Sequence, residues 1–204
     1  MDNLRLAALF LFSYLAGGIP TGYLVVKRFY GYDIRTRGSG NPGTANVYRN
    51  AGALPGAITL FVDAMKGFLP VYLGLRLYPD HRGLAIGLAI GLGAAAIVGH
   101  NWTPFLGFKG GKGVATSAGV FSALLPLPML ITAAAFLLAV KISSHLSVGS
   151  MTGAIVLPLA ALLCHAPHAF TAAAAGAGAM ILLKHISNLK RLLDHRELGI
   201  RGRA

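Results

Sequence analysis

Hydropathy along the chain rises and falls in long apolar blocks separated by short polar ones. The blocks are Leu4–Val26, Ala53–Leu77, Leu84–Val98, Val114–Leu125, Leu127–Val140, Val148–Cys164 and Ala169–Leu183. Several approach the roughly 20 residues that an α-helix needs to cross a hydrocarbon core of about 30 Å. None shows the strict alternation of a half-buried strand. Backbone polar groups in lipid must be satisfied within the segment, so the blocks predict an all-α bundle of transmembrane helices. The region from Val114 to Val140 is ambiguous. Each half is short at about 1.5 Å rise per residue, whereas the whole is one over-long helix interrupted by Pro126 and Pro128.

The distribution of basic residues decides between these readings. If the two halves cross separately, there are seven crossings, some short, with the N-terminus outside. Lys27, Arg28, Arg35, Arg37, Arg49, Lys109, Lys112, Lys141 and the basic tail from Lys184 to Arg201 and Arg203 then share one side. Arg5, Arg76 and Arg82 fall on the other, and Lys66 lies inside a span. Six crossings would carry the basic tail outside. The positive-inside rule therefore predicts seven helices, N-terminus out and C-terminus cytoplasmic, with Pro126 and Pro128 in a tight external turn.

Composition agrees with a membrane protein. The 204 residues are 55% hydrophobic and 12% charged, with a mean hydropathy of +0.65. No soluble extension is long enough to fold separately, so residues 1–204 read as a single polytopic domain. The net charge of +12 follows mainly from cytoplasmic loops and does not point to nucleic acid. The lone Cys164 excludes an internal disulfide and any multi-cysteine metal site. The N-terminus, with Asp2 and Arg5 ahead of a long apolar run and no Ala-x-Ala cleavage site, reads as a retained first helix.

Four polar clusters fall on the cytoplasmic side of this topology. In Gly38–Arg49, the side chains of Ser39, Asn41 and Asn46 can hydrogen-bond a phosphate or polyol beside Gly40, and Arg49 can fork onto a phosphate. The same run is also ordinary turn chemistry. In His100–Thr116, Lys109 and Lys112 stand among Gly107, Gly110, Gly111 and Gly113. Glycine lets backbone amides approach a ligand, so this loop is expected to form an anion nest. It is not a Walker A loop, because Gly113 follows Lys112 where Ser or Thr is required. Ser147 and Ser150 open a span, where serines cap helices and where free amides also receive anions. In the tail, Lys184, Asn188 and Arg191 share one face of a continuous helix. Asp63 and Lys66 lie one turn apart within the second block, where they can pair or serve a site.

In this order and spacing the segments resemble the acyl-phosphate-dependent glycerol-3-phosphate acyltransferase family (PlsY) of bacterial membranes. The matching residues are Gly38–Asn46 with Arg49, Asp63-x-x-Lys66-Gly67, Gly99–Thr116, Ser147–Ser150, and Lys184-His185-x-x-Asn188 with Arg191 and Glu197. Two departures stand out. Gly43-Thr44-Ala45-Asn46 replaces the family's usual Gly-Ala-Thr-Asn, and His195 stands near a position usually held by glycine. The resemblance implies acyl transfer from acyl phosphate to the sn-1 hydroxyl of glycerol 3-phosphate at the bilayer of the bacterial inner membrane. It implies no metal and no cofactor, and the oligomeric state is left open.

The residue inventory suits that reaction. Acyl phosphate carries a good leaving group, so positioning and charge neutralisation matter more than a covalent nucleophile. Lys109, Lys112, Arg49, Ser39 and the glycine amides supply donors for two phosphates. Ser147, His185 and Asn188 are the further catalytic candidates that the resemblance implies. The general base is the substrate's own phosphate in the family reading, with His100 and His185 as alternatives. None of the seven histidines is followed five positions on by aspartate, as the other large glycerolipid acyltransferase class requires. A transporter would extend polar groups to the outer face, which offers only Arg76, Asp80, His81 and Arg82.

Overall fold

The structure, a computed structural model, describes residues 3–200; Asp2, Arg201 and Arg203 lie outside them. The described residues form ten α-helices and contain no strand. The chain divides into two compact units, one up to Leu124 and the other from Leu125.

The first unit holds α1 (Asn3–Gly18), α2 (Thr21–Tyr30), α3 (Thr44–Ala51), α4 (Ala53–Arg76), α5 (Arg82–Asn101) and α6 (Val114–Leu124). Its helices meet backbone to backbone at glycine. A Cβ on Gly17 would overlap Ala96, and one on Gly99 would overlap the Tyr14 carbonyl, so α1 and α5 touch along their main chains. Gly67 and Gly119 do the same between α4 and α6, against Thr116 and Ala64. Lipid tails are as apolar as the helices, so close van der Waals contact through small residues holds such a bundle. Hydroxyls reinforce it: Ser13 Oγ donates to Leu92 O at 2.6 Å and Thr103 Oγ1 to Gly18 O at 2.5 Å.

The second unit holds α7 (Pro126–Ser143), α8 (Leu146–Leu163), α9 (His168–Lys184) and α10 (Ile186–Leu193). Gly149 seats α8 on Val140 and Phe136 of α7, and Gly178 seats α9 on the Ala154 carbonyl of α8. Outward-facing apolar side chains such as Leu11, Phe61, Leu137 and Leu159 are exposed, as a lipid-facing surface requires.

Four helices, α4, α5, α7 and α8, are long and apolar enough to cross a membrane individually. The pairs α1–α2 and α9–α10 are bent by 41° and 51° and bring the total to six if each is one span. The 11-residue α6 reaches only about 16 Å, well short of the hydrocarbon core. Pro126 and Pro128 occupy the first turn of α7, and the break after α6 is the single residue Leu125. The expected proline turn is thus replaced by a helix start, because proline at N1 has no N–H to leave unsatisfied and its φ is already helical. The tail also departs from the continuous helix expected. The His185 ring bonds the Ile181 carbonyl at 2.8 Å through Nδ1, while the His185 amide turns to Leu182 O. A side chain has taken the acceptor that would have continued the ladder, so Lys184 ends α9 while Asn188 and Arg191 belong to α10.

Replacing Gly99 by Ala should lower the thermal unfolding midpoint of the detergent-solubilised protein, with a cost of about 1–3 kcal/mol for overpacking. Gly87, where a Cβ meets nothing, is the control and should tolerate Ala.

Candidate active site

A narrow recess in the first unit gathers several of the expected residues. It is lined by the α1–α2 break at Ile19–Thr21, by Asp63 and Lys66 of α4, by His100 of α5 and by Gly110–Gly111. Asp63, Lys66 and His100 are all more than nine-tenths buried. Lys66 Nζ lies 2.8 Å from Asp63 Oδ1 and donates to the Ile19 carbonyl at 2.9 Å. That carbonyl stands at the α1–α2 break, where it also accepts the Thr21 amide at 3.0 Å. The second carboxylate oxygen faces His100 Nδ1 at 3.9 Å. Removing one member of a buried pair strands the other charge, at a cost of about 3–5 kcal/mol. Thr21, which sequence reasoning missed inside an apolar run, lines the recess with a buried hydroxyl that has no hydrogen-bond partner among the described residues.

The glycine–lysine loop reaches this recess in a different way from the one expected. The Gly110 amide donates to Asn101 O at 3.3 Å and the Gly111 amide to His100 O at 3.0 Å. These two N–H groups are therefore spent on the end of α5 and do not form an anion nest. The glycines serve close approach instead. A Cβ on Gly110 would overlap the His100 carbonyl, and one on Gly111 would overlap the His100 imidazole. Gly113, at φ 78°, turns the chain into α6. Lys112 is half-buried between these fixed points, and Lys109 is exposed.

The segment before α3 is organised by Asn46, which is almost fully buried. Its Oδ1 accepts from the Ser39 amide and from Asn50 Nδ2, each at 3.0 Å. Its Nδ2 donates to Ile34 O and Arg37 O. All four hydrogen-bonding positions of the amide are used within the protein. Asn46 thus shapes the turn and is not the phosphate ligand it was expected to be. Asn41 Oδ1 likewise accepts from the Gly43 amide at 2.8 Å. Ser39 and Gly40 stay exposed, Arg49 is half-buried in the last turn of α3, and only Pro42 of this segment lines the recess. Thr44 opens α3 with its hydroxyl buried and without a partner among the described residues.

The second unit assembles its own cluster around Glu197. Asn188 Nδ2 donates to Glu197 Oε1 at 2.5 Å and Arg191 Nε to Oε2 at 2.7 Å. Burial pushes the Glu197 carboxyl up, and the polar groups of Asn188, Arg191 and Ser147 outweigh it, holding the carboxyl below its ordinary value. Ser147 Oγ is buried and makes no hydrogen bond of regular geometry. It does not cap α8, whose N-cap is His145, and Ser150 Oγ turns back to Leu146 O at 2.8 Å, so the expected serine caps do not form. Because Ile181 O can only accept, the His185 ring carries its proton on Nδ1, leaving Nε2 as the acceptor of the neutral ring. His195 sits at φ 54°, in the left-handed region that favours glycine, which is a physical reason for the glycine usual near this point of the family. Lys184 is half-buried at the end of α9.

A sequence profile of the glycerol-3-phosphate acyltransferase family matches residues 7–195. The chain belongs to this family. Among its relatives, the glycerol-3-phosphate acyltransferase of Endomicrobium trichonymphae is 41% identical over 191 residues, covering 94% of each chain. That of Trichlorobacter lovleyi is 44% identical, covering 91% of this chain and 92% of its own. Crystal structures of PlsY, an integral membrane glycerol 3-phosphate acyltransferase, superpose with TM-scores of 0.87 and 0.85 at 33% and 32% identity. They represent its glycerol 3-phosphate and lysophosphatidic acid forms, and each comparison covers 96% of this chain and 95% of the other. The chain is accordingly an integral membrane acyltransferase.

A depressed carboxyl stabilises the fold at pH above its unfolded value, and that contribution disappears as pH falls through the folded one. The wild-type thermal midpoint should therefore hold until pH drops below the ordinary value of 4.5 and then decline. With only six acidic residues in the chain, Glu197→Gln should visibly lower the midpoint at pH 7 and flatten its acid limb. An unchanged acid limb in the variant would contradict this assignment.

Proposed function

We propose that this acyltransferase moves a fatty acyl group from acyl phosphate to the sn-1 hydroxyl of glycerol 3-phosphate. The products are 1-acylglycerol 3-phosphate (lysophosphatidic acid) and phosphate, the first acylation of bacterial phospholipid synthesis. The observation that carries the reading is the lysine-bearing glycine loop, locked against His100 in a chain whose relatives share this fold over nearly its whole length. The name and bound form of those neighbours support glycerol 3-phosphate as acceptor.

The chemistry is a single displacement. The glycerol oxygen attacks the acyl carbon, a C–O ester bond forms, the bond from carbon to the phosphate oxygen breaks, and the hydroxyl proton ends on the departing phosphate. Two phosphates brought together repel each other, so the protein must supply compensating charge. Lys112 and Lys109 serve that purpose, with Arg49, the exposed Ser39 and Gly40 as further contacts. Ser147, His185 and Asn188 of the second unit carry over from the family motif as catalytic candidates. The base is the substrate's own phosphate, and His185 Nε2 and His100 are the side-chain alternatives. Seven crossings, with the N-terminus outside and the polar loops facing the cytoplasm of the bacterial inner membrane, complete the reading, the two compact units belonging to one polytopic enzyme.

Purified protein given glycerol 3-phosphate and acyl phosphate should release lysophosphatidic acid and phosphate in equal amounts. Lys112→Ala should lose at least about 10²-fold in turnover, the scale of removing one donor from a developing charge. Absence of product with acyl phosphate, or efficient turnover with acyl-CoA alone, would overturn the proposed donor.

A further inference from the structure

The buried Asp63–Lys66 pair has no part in the displacement just described, yet it lies against the residues that have. A series of contacts runs from it to the loop. Lys66 Nζ joins the Ile19 carbonyl, at the α1–α2 break, to Asp63 Oδ1. Asp63 Oδ2 faces His100 Nδ1 at 3.9 Å. The other side of the His100 ring, at Nε2, lies so close to Gly111 that no Cβ fits between them, and the Gly111 amide is bonded to the His100 carbonyl. Lys112 follows Gly111 directly. A side chain at Gly111 would therefore push the imidazole or the loop, and a turned imidazole would push the loop in the same way.

We propose that Asp63 and Lys66 are positioning residues that act on the phosphate-holding loop through His100. A carboxylate facing Nδ1 favours the tautomer with its proton there and fixes the direction of the ring. His100 is then the wedge that sets where Gly110 and Gly111, and with them Lys112, come to rest. Lys66 pairs with Asp63 at 2.8 Å in an apolar interior, where a charge without a partner is costly. It also anchors that charge to the Ile19 carbonyl of the α1–α2 break. The buried polar atoms of the recess suit this role, since the lysine has a backbone anchor and each carboxylate oxygen faces a different group. A salt bridge needed only for folding would have no reason to meet the ring that packs on the loop.

The proposal rests on the reaction given above, and wild-type turnover reports on that reaction separately. The test uses purified Asp63→Asn, Lys66→Met, Lys66→Arg, His100→Ala and the Asp63→Asn/His100→Ala double variant. For each, KM for glycerol 3-phosphate, kcat and the thermal midpoint are measured. Displacing the loop weakens substrate holding, so Asp63→Asn and Lys66→Met should raise KM on the order of tenfold with a much smaller change in kcat. Lys66→Arg, which restores the charge and donors, should recover a large part of that loss. If Asp63 works through His100, the double variant should be no worse in kcat/KM than His100→Ala alone. Losses that add in the double variant, or an unchanged KM in folded Asp63→Asn, would overturn the proposal. Should Lys66→Met fail to fold, the near-isosteric Asp63→Asn and the double variant decide the matter on their own.

Discussion

Contact between helix backbones at glycine governs the first unit. In a bilayer there is little hydrophobic gain in moving a leucine from lipid to protein, so stability comes from atoms in close contact. Gly17 on Ala96 and Gly99 on Tyr14 bring α1 and α5 within main-chain reach, and Gly67 and Gly119 do so for α4 and α6. The polar groups next to these contacts are placed as a consequence. His100 is one residue from Gly99, Thr116 carries the carbonyl that meets Gly67, and Lys66 precedes Gly67. The same residues that allow close packing therefore fix where the charged groups stand.

Close packing also makes unpaired polarity costly, and the protein answers by giving its central buried groups partners. Lys66 bonds both a carboxylate and a broken-helix carbonyl. Asn46 fills all four of its positions within the segment before α3. Glu197 receives Asn188 and Arg191 on separate oxygens. Against that background the buried hydroxyls of Thr21, Thr44, Thr116, Ser117 and Ser147, which lack regular partners among the described residues, are exceptions.

Much of this is legible in the sequence, and what is not has identifiable causes. The helical class and the Asp63–Lys66 pair follow from period and spacing, which are local properties. The role of Gly110 and Gly111 is hidden because it depends on carbonyls about ten positions earlier, His100 and Asn101, that no local pattern links to them. The tail reads as one helix because periodicity is blind to an imidazole capturing the Ile181 carbonyl. Ser147 and Ser150 look like caps from their position alone, yet His145 takes that place. Thr21 escapes notice because a threonine in an apolar run carries no signal until the helix around it is seen to break.

Fixed polar groups, in the proposed mechanism, hold two phosphorylated substrates for direct transfer, and no side chain carries the acyl group between them. The decisive experiment is a rapid-quench measurement with acyl phosphate in the absence of glycerol 3-phosphate, followed by intact-protein mass spectrometry. Direct transfer predicts no burst of phosphate and an unmodified protein mass. A burst equal to the enzyme concentration, with the protein heavier by one acyl group, would contradict it.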